Sequence, residues 1–338
     1  MSELVKLEQQ MLEPSQALIE DVSRIKGDIL LLGVAGKMGV SMARVAQKAV
    51  ETAGTGQRVI GVSRFSNLAS RADLENVGVE TVSANLLDDN ELAGLPDAPN
   101  VIYLAGHKFG TTGNEAYTWA MNTYLPGRVA ERYPSANIVA FSSGNVLPFV
   151  PVTSGGVSEE RSPEPIGEYA QSCLGRERIF QYFSEKNGTP LLIYRLNYAV
   201  DFRYGVVLEV AKSVLNEKPI DLRTENVNVI WQGDANEIAI RSLLHCESPA
   251  KILNVTGPET LSTRWLANQF GQIFGKEPQF IHEAQGTALL NNASECHRLF
   301  GYPRVTIREI IELTARWLQE GGDLLDKPTH FQERGGKF

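Results

Sequence analysis

Short apolar runs alternate with amphipathic stretches through the first 200 residues of the chain. The first run, at 28–32, is unbroken, which is typical of a parallel strand buried on both faces. We predict six strands, at 28–32, 58–62, 79–82, 101–104, 137–141 and 191–194, with helices between them that include 113–133 and 168–187. Strands that alternate with helices predict an α/β fold with a doubly wound parallel sheet.

The rhythm of strands and helices changes beyond residue 200. Strand-like segments at 227–230 and 252–255 are mixed with helices predicted near 235–246, 262–275 and 307–320. We therefore predict a sheet domain over 27–200 and a smaller, substrate-facing C-terminal lobe over 201–326 that is interleaved with it. A helical extension over 1–26 precedes the sheet domain, and a polar, turn-rich tail over 327–338 follows the lobe.

Three glycines, Gly33, Gly36 and Gly39, lie between the first predicted strand and a helix. The first permits a tight turn, the second lets the backbone approach a pyrophosphate, and the third lets the helix pack closely on the strand. The helix N-terminus adds free N–H groups and a partial positive charge. Because the turn lies inside a complete strand–helix–strand unit, it predicts a Rossmann-type dinucleotide site that includes Lys37 and Met38.

The residues after the second predicted strand distinguish between the two nicotinamide dinucleotides. NAD-binding proteins of this type carry an acidic residue here, which bonds the ribose 2′-hydroxyl. This chain has Ser63 and Arg64 instead, and a hydroxyl beside a guanidinium suits a 2′-phosphate. We therefore predict NADP as the cofactor, with NAD as the alternative if Arg64 is only a solvated loop charge.

Composition and charge narrow the range of partners. The chain of 338 residues has a formal net charge of −8, which argues against nucleic acid or an anionic membrane. No apolar run approaches the roughly 20 residues that span a bilayer. The cysteines Cys173, Cys246 and Cys296 are widely spaced, which fits a reducing cytoplasm and indicates neither a disulfide framework nor a metal site. We expect a cytoplasmic protein whose partner is a small molecule.

Several segments beyond the glycine turn match the motifs of one protein family. The matching residues are Asn85 and Leu86 after the third strand, Leu104, Ala105 and Gly106 after the fourth, Asn122 in the next helix, Ser143 after the fifth strand, Tyr169 in the following helix, and Asn197 and Tyr198 after the sixth strand. With these residues, the chain resembles the extended short-chain dehydrogenase/reductase superfamily, of the NAD-dependent epimerase/dehydratase type, over most of residues 28–318. Asn85 stands where that family usually has an aspartate.

The resemblance implies roles for the matching residues. Tyr169 would move the proton of a substrate hydroxyl or carbonyl, Ser143 would hydrogen-bond the same oxygen, and Asn122 would belong to the catalytic group. The other matching residues, together with Tyr169, would contact the cofactor. The resemblance further implies a carbonyl or hydroxyl substrate such as a nucleotide sugar, and a homodimer formed through the helices at 113–133 and 168–187.

The chain departs from the family at one position. The family motif is Tyr-x-x-x-Lys, in which the lysine shares a helix face with the tyrosine, holds the nicotinamide ribose and lowers the tyrosine pKa. Here Cys173 replaces the lysine, and we interpret it as a small packing residue that supplies no positive charge. Arg176 lies about 10 Å further along the helix than Tyr169, so Lys108, in the loop after the fourth strand, is the better substitute. The alternative is a Lys108 that is solvated or touches phosphate only.

Two functions of different classes remain open from the sequence. The first is NAD(P)-dependent epimerase, dehydratase or reductase chemistry, in which Tyr169, Ser143, Asn122 and Lys108 are the catalytic residues. The second is a catalytically silent NADP-binding sensor or partner-binding protein, which the missing lysine motivates.

Overall fold

The centre of the molecule is a seven-stranded parallel sheet. A computed structural model describes residues 3–108, 110–325, 327 and 329–337 of the chain. The strands are β1 (Ile29–Leu32), β2 (Val59–Ser63), β3 (Glu80–Ser83), β4 (Asn100–Tyr103), β5 (Asn137–Ser143), β6 (Leu191–Leu196) and β7 (Lys251–Val255). Their order is β7-β6-β5-β4-β1-β2-β3, and all neighbours are parallel. The predicted doubly wound parallel sheet is confirmed.

Alternate side chains of the central strands enter two different cores, one on each face of the sheet. Ile29 and Leu31 of β1 pack in one core, and Leu30 and Leu32 pack in the other. All four side chains are fully buried. A strand that buries both faces has no position for a polar side chain, which is why the segment is an unbroken apolar run in the sequence.

Helices cover both faces of the sheet. The α-helices within the described residues are α1 (Glu3–Met11), α2 (Gln16–Arg24), α3 (Gly39–Ala53), α4 (Leu68–Glu75), α5 (Asp89–Ala93), α6 (Glu115–Trp119), α7 (Leu125–Arg132), α8 (Gly167–Asn187), α9 (Val206–Leu215), α10 (Gln232–Arg241), α11 (Thr263–Phe274), α12 (Ser294–Phe300) and α13 (Ile307–Gln319). The core on one face includes α2, α3 and α10, and the core on the other includes α7 and α8. No helix among the described residues is long and apolar enough to cross a membrane.

The helix predicted over 113–133 is not continuous. A π-helical turn, Ala120–Tyr124, joins α6 to α7. Such turns hold one extra residue and are frequent near functional sites. This one carries Asn122, which is fully buried and faces α8.

The C-terminal lobe has a core of its own, to which α9, α11 and α13 contribute. Its short strands form ribbons that pair Val150–Pro151 with Thr287–Ala288, Ala199–Val200 with Ile230–Trp231, Ile220–Asp221 with Phe280–Ile281, and Asn226–Val227 with Leu261–Ser262. The single strand predicted over 227–230 is wrong, because the side chain of Asn228 turns inward there and hydrogen-bonds Asn197 and Asn291. The segment predicted at 252–255 lies in β7, so the lobe and the main sheet are interleaved.

The described residues near both ends of the chain pack against the body of the protein. Leu7 and Met11 of α1 lie in the lobe core, and α2 packs on α3. The segment 327–338 has a polar composition, but Phe331 is buried in the same lobe core. The described part of this tail is therefore docked. Residues 1 and 2 of the predicted extension, and residues 326, 328 and 338 around the tail, lie outside the described residues.

Candidate active site

The glycine turn joins β1 to α3 at the carboxyl edge of the sheet. Gly33 has a φ of +92°, and a Cβ atom on it would lie 2.8 Å from the backbone nitrogen of Ala105. A Cβ atom on Gly39 would lie 2.2 Å from the carbonyl oxygen of Val34. Met38, at the N-cap position of α3, makes no side-chain cap hydrogen bond. The result is a backbone cradle at an uncapped helix N-terminus, which fits the pyrophosphate of a dinucleotide.

Two cavities flank the turn, at the point where the strand order reverses between β1 and β4. Both are lined by Gly33, Gly36 and Leu104. The β2-side cavity, of about 250 Å³, is also lined by Ser63, Arg64, Asn85, Leu86, Ala105 and Gly106. The β5-side cavity, of about 280 Å³, is also lined by Lys37, Met38, Gly39, Lys108, Ser143, Tyr169, Asn197 and Tyr198. Each residue predicted to contact the cofactor thus lines one of the two cavities, and only the predicted catalytic residue Asn122 lines neither.

Arg64 lies at the mouth of the β2-side cavity. Its side chain is exposed, and no other residue in the described part of the chain forms a hydrogen bond or ion pair with its guanidinium. By contrast, Arg71 nearby is paired with Glu75 at 2.8 Å. Ser63 and Asn85 line the same cavity. A guanidinium in this position is available to an anionic group of a ligand.

Tyr169 and Ser143 meet in the β5-side cavity. Ser143 ends β5, and Tyr169 lies in the first turn of α8, which packs beside β5. Both side chains line this cavity, and the Ser143 hydroxyl acts on the pKa of Tyr169. Burial raises the pKa of Tyr169 above its ordinary value, and Cys173 adds to this effect, whereas Arg176 and the Ser143 hydroxyl oppose it. Tyr169 is therefore protonated at neutral pH and can donate a proton.

Cys173 lies one turn further along α8 than Tyr169. Its side chain is fully buried and packs with Val146, Leu147 and Val157. Burial raises the pKa of its thiol, so the sulfur is uncharged at neutral pH. These properties support the interpretation of Cys173 as a packing residue.

Lys108 brings a positive charge close to Tyr169. Its Nζ lies 5.6 Å from the centroid of the Tyr169 ring, and its charge acts on the pKa of Cys173. Burial lowers the pKa of Lys108 to about 8. The ammonium group of Lys108 therefore lies near the Tyr169 ring, and its charge acts on Cys173, which occupies the motif-lysine position.

Asn122 lies beneath the β5-side cavity. Its Nδ2 donates to the carbonyl oxygen of His107 at 2.8 Å and to Ser172 Oγ at 2.9 Å. Its Oδ1 accepts from the His107 backbone nitrogen at 2.8 Å and from Arg176 Nη2 at 2.7 Å. The amide is thus fully used within the protein, where it fixes the loop that carries Lys108. Arg176 is held in the interior by the same contacts and does not line the cavity.

A second ammonium group, that of Lys37, reaches the β5-side cavity from the glycine turn. Lys37 Nζ donates to the carbonyl oxygen of Ala199 at 2.9 Å and lies 3.6 Å from the centroid of the Tyr204 ring. Burial lowers the pKa of Lys37 to about 7; Asp201 opposes this shift and Lys108 adds to it. Lys37 therefore connects the cofactor cradle to the lobe.

The sequence analysis missed several residues of the β5-side cavity. Asn145 follows β5, Tyr204 lies at the start of the lobe, and Thr329 comes from the C-terminal tail. Asn145 lies in the segment 141–146 that also carries Ser143, but Tyr204 and Thr329 belong to no motif, and the composition of the tail predicts only a polar, turn-rich segment. Their presence in the site depends on how distant segments pack, for which the local sequence carries no signal.

The fold is similar to solved structures of nucleotide-sugar enzymes. A UDP-glucose 4-epimerase of Thermus thermophilus in complex with NAD aligns with a TM-score of 0.70 and 19% identity, covering 87% of this chain and 99% of the other. A UDP-glucuronic acid 4-epimerase of Bacillus cereus in complex with NAD has a TM-score of 0.70 and 18% identity, with coverage of 87% and 99%. A dTDP-glucose 4,6-dehydratase of Streptomyces venezuelae has a TM-score of 0.72 and 19% identity, with coverage of 87% and 97%. At these identities, the likeness establishes the fold.

The sequence itself identifies the family. No curated protein matches the chain. The model of the NAD-dependent epimerase/dehydratase family matches residues 29–236, which is more than half of the chain. This match confirms the resemblance inferred from the motifs, and it covers the glycine turn, Ser143 and Tyr169. The chain belongs to the NAD-dependent epimerase/dehydratase family.

Proposed function

We propose that this protein is an NADP-dependent enzyme of the epimerase, dehydratase or reductase type that acts on a carbonyl or hydroxyl group of a small molecule. The observation that carries the proposal is that Tyr169 and Ser143 line the same cavity, the β5-side cavity, together with the glycine turn. Nucleotide sugars are one substrate class to test beside compact carbonyl compounds, because the similar structures are named for enzymes of UDP-glucose, UDP-glucuronic acid and dTDP-glucose.

The residues present fit a nicotinamide dinucleotide. Gly33, Gly36 and the N-terminus of α3 would hold its pyrophosphate, since a Cβ atom on Gly33 would close this cradle. The β2-side cavity would take the adenosine end and the β5-side cavity the nicotinamide end. When bound, the nicotinamide supplies hydride exchange with a substrate carbon.

The protein's own groups would move and hold the proton at the substrate oxygen. Tyr169 is protonated at neutral pH because burial raises its pKa, so its hydroxyl can donate to a carbonyl oxygen. Ser143 Oγ would bond the same oxygen and orient it toward Tyr169. In the reducing direction Tyr169 would act as an acid from this protonated form, and in the oxidising direction its phenolate would be the base.

Lys108 would take the place of the missing motif lysine. Its Nζ lies near the Tyr169 ring, and its charge reaches Cys173 at the position of that lysine. A nearby ammonium stabilises the phenolate that remains after Tyr169 has given up its proton. Asn122 would be a positioning residue in this scheme, because it bonds both backbone groups of His107, next to Lys108.

Arg64 supports NADP as the preferred cofactor. The 2′-phosphate of NADP would lie on the adenosine side, where the exposed Arg64 has no partner among the described residues. A guanidinium binds a phosphate through two parallel charge-assisted hydrogen bonds, and a neutral hydroxyl gains less from it.

The test is a titration followed by a turnover screen. Purified full-length protein is titrated with NADPH and NADH by isothermal calorimetry, and consumption of the reduced cofactor is then followed with UDP-sugars, dTDP-sugars and a panel of compact aldehydes and ketones. We expect NADPH to bind at least about tenfold more tightly than NADH and at least one compound to be reduced. Failure of both cofactors to bind would contradict the proposal.

A second candidate function follows from Cys173. Because this position lacks the motif lysine, the protein can be a catalytically silent NADP sensor or partner-binding protein. That alternative predicts NADPH binding without turnover on the whole panel, and it predicts that replacing Tyr169 changes nothing measurable. Family membership favours the enzyme.

We also propose that the protein forms a homodimer through α6, α7 and α8. These helices border an apolar surface groove, and beside it Trp119 and Tyr124 are 37% and 54% exposed. Analytical ultracentrifugation should show a dimer that Tyr124→Glu converts to a monomer, because a carboxylate would be buried in the interface. The control is Tyr302→Glu, at a more exposed tyrosine outside the groove. A monomeric unaltered protein would overturn the proposal.

We propose the cytoplasm as the compartment of the protein. The cysteines Cys173, Cys246 and Cys296 are all free thiols. Free thiols persist most readily in a reducing compartment. Fluorescence microscopy of the tagged full-length chain would test this location.

A further inference from the structure

The last described residues, 329–337, form a strap that crosses the side of the β5-side cavity. Phe331 anchors the strap, because its ring is 3% exposed and packs in the lobe core. The backbone nitrogen and the hydroxyl of Thr329 both donate to the carboxylate of Glu209 on α9, each at 2.5 Å. These contacts fix the first part of the strap to the lobe.

The second part of the strap crosses to the start of α8. Arg334 Nη1 donates to the carbonyl oxygen of Thr287 at 2.8 Å, and its guanidinium lies 4.2 Å from the centroid of the Phe149 ring. A Cβ atom on Gly336 would lie 2.3 Å from the carbonyl oxygen of Ile166, directly before α8. Since α8 carries Tyr169, the strap connects the lobe to the helix of the proposed proton donor.

The strap forms part of the wall of the space in which a substrate would bind. Thr329 lines the β5-side cavity, and Arg334 and Gly336 line an adjoining space of about 30 Å³ that shares Lys108 and Tyr198 with it. The β5-side cavity holds about 280 Å³. Cavities for single drug-sized ligands range from roughly 300 to 1,000 Å³. A nicotinamide group and a substrate would therefore have to share a space whose volume is at the lower end of that range.

We propose that the strap selects substrates by size: while it is docked, the cavity admits a compact carbonyl or hydroxyl compound and excludes a nucleoside diphosphate sugar. This inference rests on the proposed function, since it requires the nicotinamide end of the cofactor to occupy the β5-side cavity. A nucleotide-linked substrate enters only if the bonds of Thr329 to Glu209 and of Arg334 to Thr287 break. A docked strap also keeps water away from the reacting atoms.

The experiment compares the docked strap with a loosened one in the full-length chain. Arg334→Ala removes the contacts with Thr287 and Phe149, and Gly336→Ala forces the strap away from Ile166. Neither change alters the lobe core, and thermal unfolding verifies that each variant is folded. The control is Arg298→Ala, which removes an exposed arginine paired with Glu295 on α12, outside the cavities.

Two readouts are taken on the NADPH complex. Acrylamide quenching of bound NADPH fluorescence reports access to the nicotinamide, and calorimetry reports UDP-glucose binding. We expect the quenching constant to rise about threefold in both strap variants and to stay unchanged in the control. We expect any UDP-glucose binding to be at least about tenfold tighter in the strap variants than in the unaltered chain.

The outcomes distinguish a failure of the size selection by the strap from a failure of the proposed function. Equal quenching in the unaltered chain and both strap variants would overturn the size selection, and so would UDP-glucose binding that is equally tight in all of them. If UDP-glucose binds to none of the proteins, the quenching decides. If NADPH itself does not bind, the proposed function fails, and the selection inferred from it fails as well.

Discussion

The β2-side and β5-side cavities meet at one glycine turn, but they are assembled in different ways. The β2-side cavity is lined mostly by residues that directly follow β1, β2, β3 and β4. The β5-side cavity takes its lining from segments distributed between Gly33 and Thr329, including the lobe and the strap. The first cavity is a product of strand ends in one sheet, and the second is a product of long-range packing.

This difference explains why the two cavities depart from the family to different degrees. A pyrophosphate cradle depends on backbone shape, and Gly33 cannot be replaced without a clash with Ala105. The reacting side depends on which side chains converge, so a charge can be supplied from another segment. This is the role proposed for Lys108, which lies near the Tyr169 ring although it is far from Cys173 in sequence. We expect mutations to separate the backbone cradle from the reacting side, and the expected effects decrease in the order given below.

Replacement of the proposed proton donor should have the largest effect. Tyr169→Phe should lower kcat about 1,000-fold on whichever substrate the screen identifies, because general acid catalysis contributes roughly 100- to 10,000-fold. Steady-state kinetics and an NADPH titration measure the two effects separately, and the NADPH affinity should change by less than about twofold. The matched control is Tyr182→Phe, at an exposed tyrosine of the same helix. Unchanged turnover in Tyr169→Phe would show that Tyr169 is not the proton donor.

Removal of the substitute cation should have the next largest effect. Lys108→Met should lower kcat about 100-fold, since one charged group that stabilises developing charge contributes about that much. Lys186→Met, at the far end of α8, is the control and should not change the rate. If Lys108→Met keeps full activity, Lys108 is not the substitute. If Lys108→Met does lower the rate, adding Cys173→Lys to that variant should restore part of the lost rate, because it returns an ammonium group to the family position.

The pH dependence of the unaltered enzyme tests the same cation. The protonated form of Lys108 is the one required, and its pKa is lowered to about 8. Activity should therefore be present below about pH 8 and be lost as the pH rises through that value. Lys108→Arg should shift this alkaline loss upward, because a guanidinium stays protonated over the accessible range. A pH–rate profile that is identical in the two proteins would contradict the assignment.

In the β2-side cavity, the expected effect is on the affinity of the protein for NADPH. Arg64→Ala should weaken NADPH binding about 10- to 100-fold and leave NADH binding within about twofold, because only the 2′-phosphate contact is lost. Calorimetry with both cofactors measures the two affinities. Arg71→Ala is the control, since Arg71 is nearby but paired with Glu75. Equal weakening of NADPH and NADH would show that Arg64 does not distinguish the cofactors.

The smallest effect is expected for Cys173. Cys173→Ala should change kcat by less than about twofold and lower the free energy of unfolding by about 1 kcal/mol, because a small buried side chain is shortened. Chemical denaturation and steady-state kinetics measure these two quantities. A large loss of activity with unchanged stability would mean that the thiol takes part in the reaction.

The sequence predicted the strands and the glycine turn better than the contacts that long-range packing creates around the β5-side cavity. The parallel strands and the glycine turn were predictable, because buried strands need unbroken apolar runs and tight turns need glycine. The interruption of the helix predicted near 113–133 could not be predicted, since a π-helical turn leaves the apolar spacing almost unchanged. Asn122 matched a family position, but its four hydrogen bonds became apparent only with the positions of His107, Ser172 and Arg176.

The sequence by itself determined the sheet and the dinucleotide cradle, because both depend on local requirements of backbone conformation and burial. The sequence also showed that Cys173 replaces the motif lysine, because the absence of a lysine from a short motif can be read directly. Only the tertiary structure decided that Lys108 lies near the Tyr169 ring and that Thr329 and the strap form part of the cavity wall. Such contacts join segments far apart in sequence, and their geometry is set by the packing of the whole chain.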